Sequence, residues 1–256
     1  MKKKNYSQNF LLHRLSSIMI PFICITIVYF LSYMIVYNKI YSLKTILLNF
    51  LIGKPIVSYS WYITVIVYYY ITFWILMKIC GKNSKLMFLG ECLWYILYVF
   101  IVKKFEYGTW YFNTCHLLIA GAFWAINEEK LVSLIKALYK FIAPCTWGLF
   151  ICLFPIAGKN TKTDVLISGV FVLSILLFLM KFKLDSFIMS YLGRISLEIY
   201  LIQGLFIKLF RVYLSVIQSE FLYALLTIFA SVFVSGIFNY VSRKALEKFN
   251  VFVNKI

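Results

Sequence analysis

Eight apolar runs, each near the length that crosses a lipid bilayer, govern what this chain can fold into. A span needs about 20 mostly apolar residues to cover roughly 30 Å of hydrocarbon. The runs fall at residues 17–37, 57–76, 86–102, 109–126, 138–157, 165–180, 189–209 and 221–240. The third and sixth are short, which tilt or a different merging of runs accommodates. Composition points the same way. Of 256 residues, 63% are hydrophobic and only 14% charged, against about 25% charged in a soluble domain. A soluble fold of this size has too little interior to hide that surplus. Backbone polar groups in lipid must be satisfied internally, and runs of this length do so as helices. The expected fold is therefore all-α: a polytopic transmembrane helical bundle of about eight spans, a single membrane domain over 1–256.

The first run follows a basic, non-apolar stretch at residues 1–9. It is too long for a secretory signal and lacks a small-residue cleavage site, so it reads as an anchor. Residues 128–140 are amphipathic, with Leu131, Leu134, Ile135 and Leu138 at helical spacing. They are expected to lie in the cytoplasmic interface before the chain enters the membrane. Pro21, Pro144 and Pro155 fall in or near spans, where neighbouring groups satisfy the freed carbonyls.

Orientation follows from the basic residues of alternate loops. With the N-terminus inside, 17 of the 26 Lys and Arg lie on the cytoplasmic side and 9 outside. Both termini are then cytoplasmic, and the number of crossings is even. The net charge of +17 sets topology and attracts anionic lipid. No basic helix or aromatic-interleaved basic stripe stands apart from the spans, so nucleic acid is not an expected partner. The six cysteines, Cys24, Cys80, Cys92, Cys115, Cys145 and Cys152, form no C-x-x-C pair and read as small buried hydrophobes. No metal site is expected. Walker, G-x-S-x-G and H-E-x-x-H motifs do not occur, which leaves soluble-type NTPase, hydrolase and zinc chemistry without support.

Glu198 is the most informative residue. It sits in the seventh run, where an ionisable side chain is costly and is paired or functional. Arg194 lies one helical turn earlier on the same face. The pair is either a structural ion pair or a small site in which Arg194 holds an anionic ligand and Glu198 orients it or takes a proton. Ser196, Tyr200 and Gln203 extend a polar stripe facing other helices. His116, in the fourth run, is either a packing histidine or a general base. His13 reads as interfacial. Trp61–Tyr62 and Trp110–Tyr111 sit where an outer aromatic belt belongs.

Three segments carry a resemblance. Residues 191–203, Tyr-Leu-Gly-Arg-Ile-Ser-Leu-Glu-Ile-Tyr-Leu-Ile-Gln, resemble the late-helix pattern of the acyltransferase 3 family of membrane proteins. In that pattern a Leu-Gly-x-x-Ser run leads into Ile-Tyr-Leu and a His. Residues 10–15, Phe-Leu-Leu-His-Arg-Leu, followed by Pro21, resemble the basic approach to the family's third helix. Ser60–Trp61–Tyr62–Ile63 resembles its Trp-Phe-Leu segment. The resemblance implies about ten helices and transfer of an acyl group, often acetyl, from cytoplasmic acyl-CoA to a hydroxyl of a glycan or lipid-linked sugar. It implies acyl-CoA (acetyl-CoA) as co-substrate, with no bound cofactor. It implies membrane lipids and the glycan or lipid-linked sugar as partners, and a bacterial cytoplasmic membrane as location. Such chemistry needs a base for the hydroxyl and cations for the CoA phosphates. The family's first two helices carry its catalytic His and paired arginines. No segment here matches them, so the chain reads as beginning at the third helix, an N-terminally shortened or inactive member. The late-helix His is Gln203 here. The candidates are then Glu198 and His116 for catalysis and Arg194, Ser196, Tyr200 and Gln203 for substrate. The rival is a non-enzymatic membrane component of polysaccharide export or polymerisation.

Overall fold

A computed structural model describes residues 2–38, 40–52, 54, 57–81, 83–182, 186–213 and 219–253. Lys39, Lys82, Lys183 and Lys255 of the charge count lie outside them. All regular structure among the described residues is helical. The α-helices are α1 (Lys2–Tyr37), α2 (Leu43–Leu51), α3 (Trp61–Cys80), α4 (Ser84–Lys104), α5 (His116–Ile126), α6 (Glu128–Leu153), α7 (Thr161–Lys181), α8 (Phe187–Arg194), α9 (Ser196–Tyr213) and α10 (Glu220–Val253). Short 3-10 turns occupy Thr109–Tyr111 and Phe154–Ile156.

Local chemistry sets several starts. The side chains of Ser42, Asn83, Asn160 and Ser186 accept the backbone N–H of Thr45, Leu86, Lys162 and Met189. Each satisfies a donor that the first helical turn leaves unpaired. Gly158 supplies a φ of 80° for the turn before α7, and its N–H donates to Asp164 at 2.7 Å.

Among the described residues six segments are long and apolar enough to cross a membrane: Phe10–Val36, Trp61–Cys80, Ser84–Lys104, Glu128–Ile156, Thr161–Lys181 and Glu220–Val251. They coincide with six of the eight runs. The fourth run is not one helix. It is the 3-10 turn Thr109–Tyr111, further turns to Cys115, and the 11-residue α5. The seventh breaks at Ile195, where φ and ψ of −103° and 7° end α8 before α9 begins. The amphipathic stretch and the fifth run are one continuous helix, α6, with Pro144 inside it.

By contacts the described chain divides into two units. One comprises Met1–Ile71 and Ser186–Ile256, the other Thr72–Asp185. In the first unit α1, α9 and α10 pack together. Its core is Phe22, Ile25 and Tyr29 of α1, Val57, Ile63 and Val67 around the start of α3, and Leu201 and Leu205 of α9. In the second, α6 packs on α7 and α4 on α5. Ile135, Ala143 and Leu177 are the buried centre of the α6–α7 pair. The Tyr139 hydroxyl of α6 donates to the Leu177 carbonyl of α7 at 2.9 Å.

Candidate functional site

The three segments singled out in the sequence meet in the core of the first unit. Tyr29 of α1, fully buried, donates its hydroxyl to the Leu201 carbonyl of α9 at 3.1 Å. Residues 57–60 make a tight turn, with the Ser60 hydroxyl and N–H both reaching the Val57 carbonyl, at 2.7 and 3.3 Å. Within it Tyr59 holds a φ of 64°, a left-handed conformation that costs a side-chain-bearing residue roughly 1–2 kcal/mol. Tyr200 of α9 donates its hydroxyl to the Tyr59 carbonyl at 2.6 Å, and its ring meets that of Tyr62 edge-on at 5.9 Å. The contact is possible because the next turn of α9 is Gly204. A Cβ there would stand 2.8 Å from the Tyr29 Oη and Ser58 Cβ and 2.9 Å from Tyr59.

Glu198 lies on the opposite face of α9 and is 3% exposed. Its Oε1 accepts from Asn239 Nδ2 of α10 at 2.9 Å and from the Ser242 hydroxyl at 3.3 Å. Its Oε2 is buried with no hydrogen-bond partner among the described residues. Asn239 Nδ2 also donates to the Arg194 carbonyl at 3.2 Å. One amide thus ties the α8–α9 break to the carboxylate. The Asn239 and Ser242 positions continue a row on α10, Thr227, Ser231, Ser235, Asn239 and Ser242, at spacings of four, four, four and three. The row is buried apart from the half-buried Asn239.

Two sequence expectations are corrected. Arg194 and Glu198 do not share a helical turn, because the helix breaks between them. The partners of the carboxylate are neutral amide and hydroxyl groups, and the Arg194 side chain is exposed. The polar stripe is also two faces. At about 100° per residue, Ser196, Tyr200 and Gln203 lie far around the helix from Glu198. Ser196 donates to the Gly193 carbonyl at 3.0 Å across the break, Tyr200 faces Tyr59, and Gln203 is half-buried.

His116 belongs to the second unit, at the first position of α5. It is half-buried, and its Nδ1 has no hydrogen-bond partner among the described residues. Its neighbour Cys115, 3% exposed, donates to the Tyr111 carbonyl at 3.0 Å. On α4, Glu91 is 5% exposed with Oε1 unpartnered. The described residues contain no cluster of three or more His, Cys, Asp or Glu able to hold a metal. Glu91, Asn239 and Ser242 escaped the sequence reading. Glu91 and Asn239 carry the signal that exposed Glu198, a polar side chain inside an apolar run; Ser242, just past the eighth run, does not.

Fold and buried polar contacts define a multi-pass helical membrane protein whose motif segments converge on α1, the 57–60 turn and α9. Residues 1–240 match the sequence profile of the acyltransferase domain of the acyltransferase 3 family, and the chain belongs to that family. No curated protein and no solved structure matches it significantly.

Proposed function

We propose that this protein is a membrane O-acyltransferase that moves an acetyl group from acetyl-CoA to a hydroxyl of a cell-surface polysaccharide or lipid-linked sugar, in a bacterial cytoplasmic membrane. The observation that carries this reading is the family match over residues 1–240. In the reaction the acceptor hydroxyl attacks the thioester carbonyl, the C–S bond breaks, and the hydroxyl proton passes through a base to the departing thiolate. His116, in the second unit, is put forward as the base on its chemistry alone, since an imidazole can take up and return a proton at neutral pH. Arg194 is the cation for the donor's phosphates: its side chain is exposed while Asn239 holds its backbone. Glu198 is a positioning residue, because Asn239 and Ser242 occupy one oxygen and the other is buried.

Membranes containing the protein, incubated with acetyl-labelled acetyl-CoA and glycan acceptor, are expected to form an alkali-labile ester. His116→Ala is expected to lower the rate at least about 100-fold. Arg194→Gln is expected to raise the KM for acetyl-CoA with little change in kcat. Absence of ester overturns the reading. A glycan flux that responds to Glu198→Gln with acetylation unchanged favours a non-enzymatic export component instead.

A further inference from the structure

An apolar groove runs between α1 and α2 in the first unit. Its volume is about 520 Å³, and its lining includes Ile23, Ile27 and Phe30 of α1, Ile46 and Leu47 of α2, and Tyr41 at one end. That volume falls in the range of ligand sites, about 300–1,000 Å³. The polar side chain on its α1 wall, Thr26, turns its hydroxyl to its own helix, donating to the Phe22 carbonyl at 2.7 Å. The walls therefore offer hydrocarbon contact and little else. α2 is short, with Leu43, Leu47, Leu48 and Leu51 exposed, so it forms one side of a slot that stays open to lipid.

The Tyr41 end is charged. The Tyr41 ring meets the Tyr33 ring edge-on at 6.0 Å. The Tyr33 hydroxyl accepts from Lys208 Nζ of α9 at 2.6 Å, with the ammonium 5.3 Å from the ring centroid. An ammonium carries three donors, and Tyr33 takes one. Lys208 is exposed, and Arg211 follows on the next turn. A dry slot ending at a cation complements a molecule with a hydrocarbon chain at one end and an anion at the other. One slot takes one chain, and a diacyl phospholipid has two.

We propose that the α1–α2 groove holds the chain of a single-chain lipid phosphate, the carrier of the sugar acceptor, with Lys208 at its phosphate. This rests on the acyl-transfer reading and deepens it: the acceptor is lipid-linked and is presented from the membrane side. The proposal explains why a lysine near the end of α9 is held against Tyr33, whose ring packs on the Tyr41 that lines the groove.

The test is binding, without acetyl-CoA. The full chain in phosphatidylcholine nanodiscs is photolabelled with a diazirine-bearing polyprenyl phosphate. Labelled peptides are expected within residues 19–50. Unlabelled polyprenyl phosphate should compete, the corresponding alcohol at least about fivefold less well, and phosphatidylglycerol at equal mole fraction should not. Ile27→Trp and Leu47→Trp fill the slot from opposite walls at exposed positions. Both are expected to cut labelling at least about fivefold, with thermal stability confirming that each variant folds. Lys208→Gln should weaken competition by the phosphate about tenfold and leave the alcohol unchanged. Equal competition by phosphatidylglycerol would make this an ordinary phospholipid contact and overturn the proposal. Labelling elsewhere, or indifference to all three variants, would do the same. A protein that binds the lipid phosphate in the groove but transfers no acetyl keeps the groove and loses the acyl-transfer reading. One that acetylates glycan while the groove variants bind normally loses the groove alone.

Discussion

At Glu198 the identity of the side chain was legible in the sequence, and its partners were not. An ionisable residue in an apolar run announces a buried polar contact, but the helical repeat points to Arg194 only if the helix is unbroken. The break at Ile195 removes that premise, and the carboxylate turns to Asn239 and Ser242, more than 40 residues away. A buried hydrogen bond is costly to leave half-made, about 1–3 kcal/mol for the stranded partner. Asn239→Ala removes the shorter of the two bonds to the Glu198 oxygen, leaving it the Ser242 hydroxyl, and takes the amide donor from the Arg194 carbonyl, so thermal unfolding in detergent should report a loss of that order. Glu198→Gln keeps an acceptor oxygen for Asn239 and should stay within about 1 kcal/mol of the parent. In a double-mutant cycle, Glu198→Leu and Asn239→Ala should be strongly non-additive. Simple additivity would mean that the pair contributes nothing jointly. His116 was equally visible as a lone polar residue. Its half-burial at the first turn of α5 is a tertiary fact that no spacing reveals.

Among the helices, what the sequence showed best was length. Six of the eight runs lie mainly in one long helix each, because in lipid the backbone has no other partner, and α1 and α6 continue through Pro21 and Pro144. The two exceptions have causes on the page. Run four is preceded by Gly108 and contains Asn113 and Thr114 in turns before α5. Run seven carries Gly193 and Ser196 on either side of the break, with the Ser196 hydroxyl donating to the Gly193 carbonyl in place of a regular helical bond. Hydropathy averages over such local chemistry. The close approach of α9 to α1 was also hidden, since it depends on Gly204 meeting Tyr29 and the 57–60 turn. Two glycines make a controlled comparison. Gly204→Ala puts a methyl against a buried hydroxyl and the Cβ of Ser58 in a constrained turn. It is expected to cost about 1–3 kcal/mol as overpacking. Gly236→Ala on α10 meets chiefly the terminal hydroxyl of Tyr191, a half-buried ring that can swing aside. It gains up to about 1 kcal/mol of helix propensity and should be neutral or stabilising. Equal destabilisation by both would show that the α1–α9 contact is not the tighter of the two.

For the whole chain the open quantity is the number of crossings, and the termini do not decide it, because six and eight both return the chain to its starting side. The loops do decide it. Counted from a cytoplasmic N-terminus, if the fourth and seventh runs cross despite their breaks, Asn127 follows four crossings and lies inside, while Asn160 follows five and lies outside. If only the six long segments cross, the two positions exchange sides. Contacts within the second unit favour a fourth crossing. After α4 the chain turns back at once, with the Tyr107 N–H on the Val102 carbonyl at 3.1 Å and Lys103 over the Phe112 ring. The Tyr98 hydroxyl then donates to the Tyr111 carbonyl at 3.1 Å, and Phe88 meets Phe123 with ring centroids 5.9 Å apart. Residues 105–126 thus retrace α4, a helix of about 30 Å at 1.5 Å per residue, through turns and α5 in place of one regular helix. The basic residues agree, since Lys130, Lys136 and Lys140 follow Asn127. With the six cysteines replaced by serine or alanine, Asn160→Cys should react with a membrane-impermeant maleimide on intact cells. Asn127→Cys should react only after permeabilisation. The opposite pattern, together with an N-terminal tag reached only after permeabilisation, would establish six crossings and leave the fourth and seventh runs as segments that enter the membrane without traversing it.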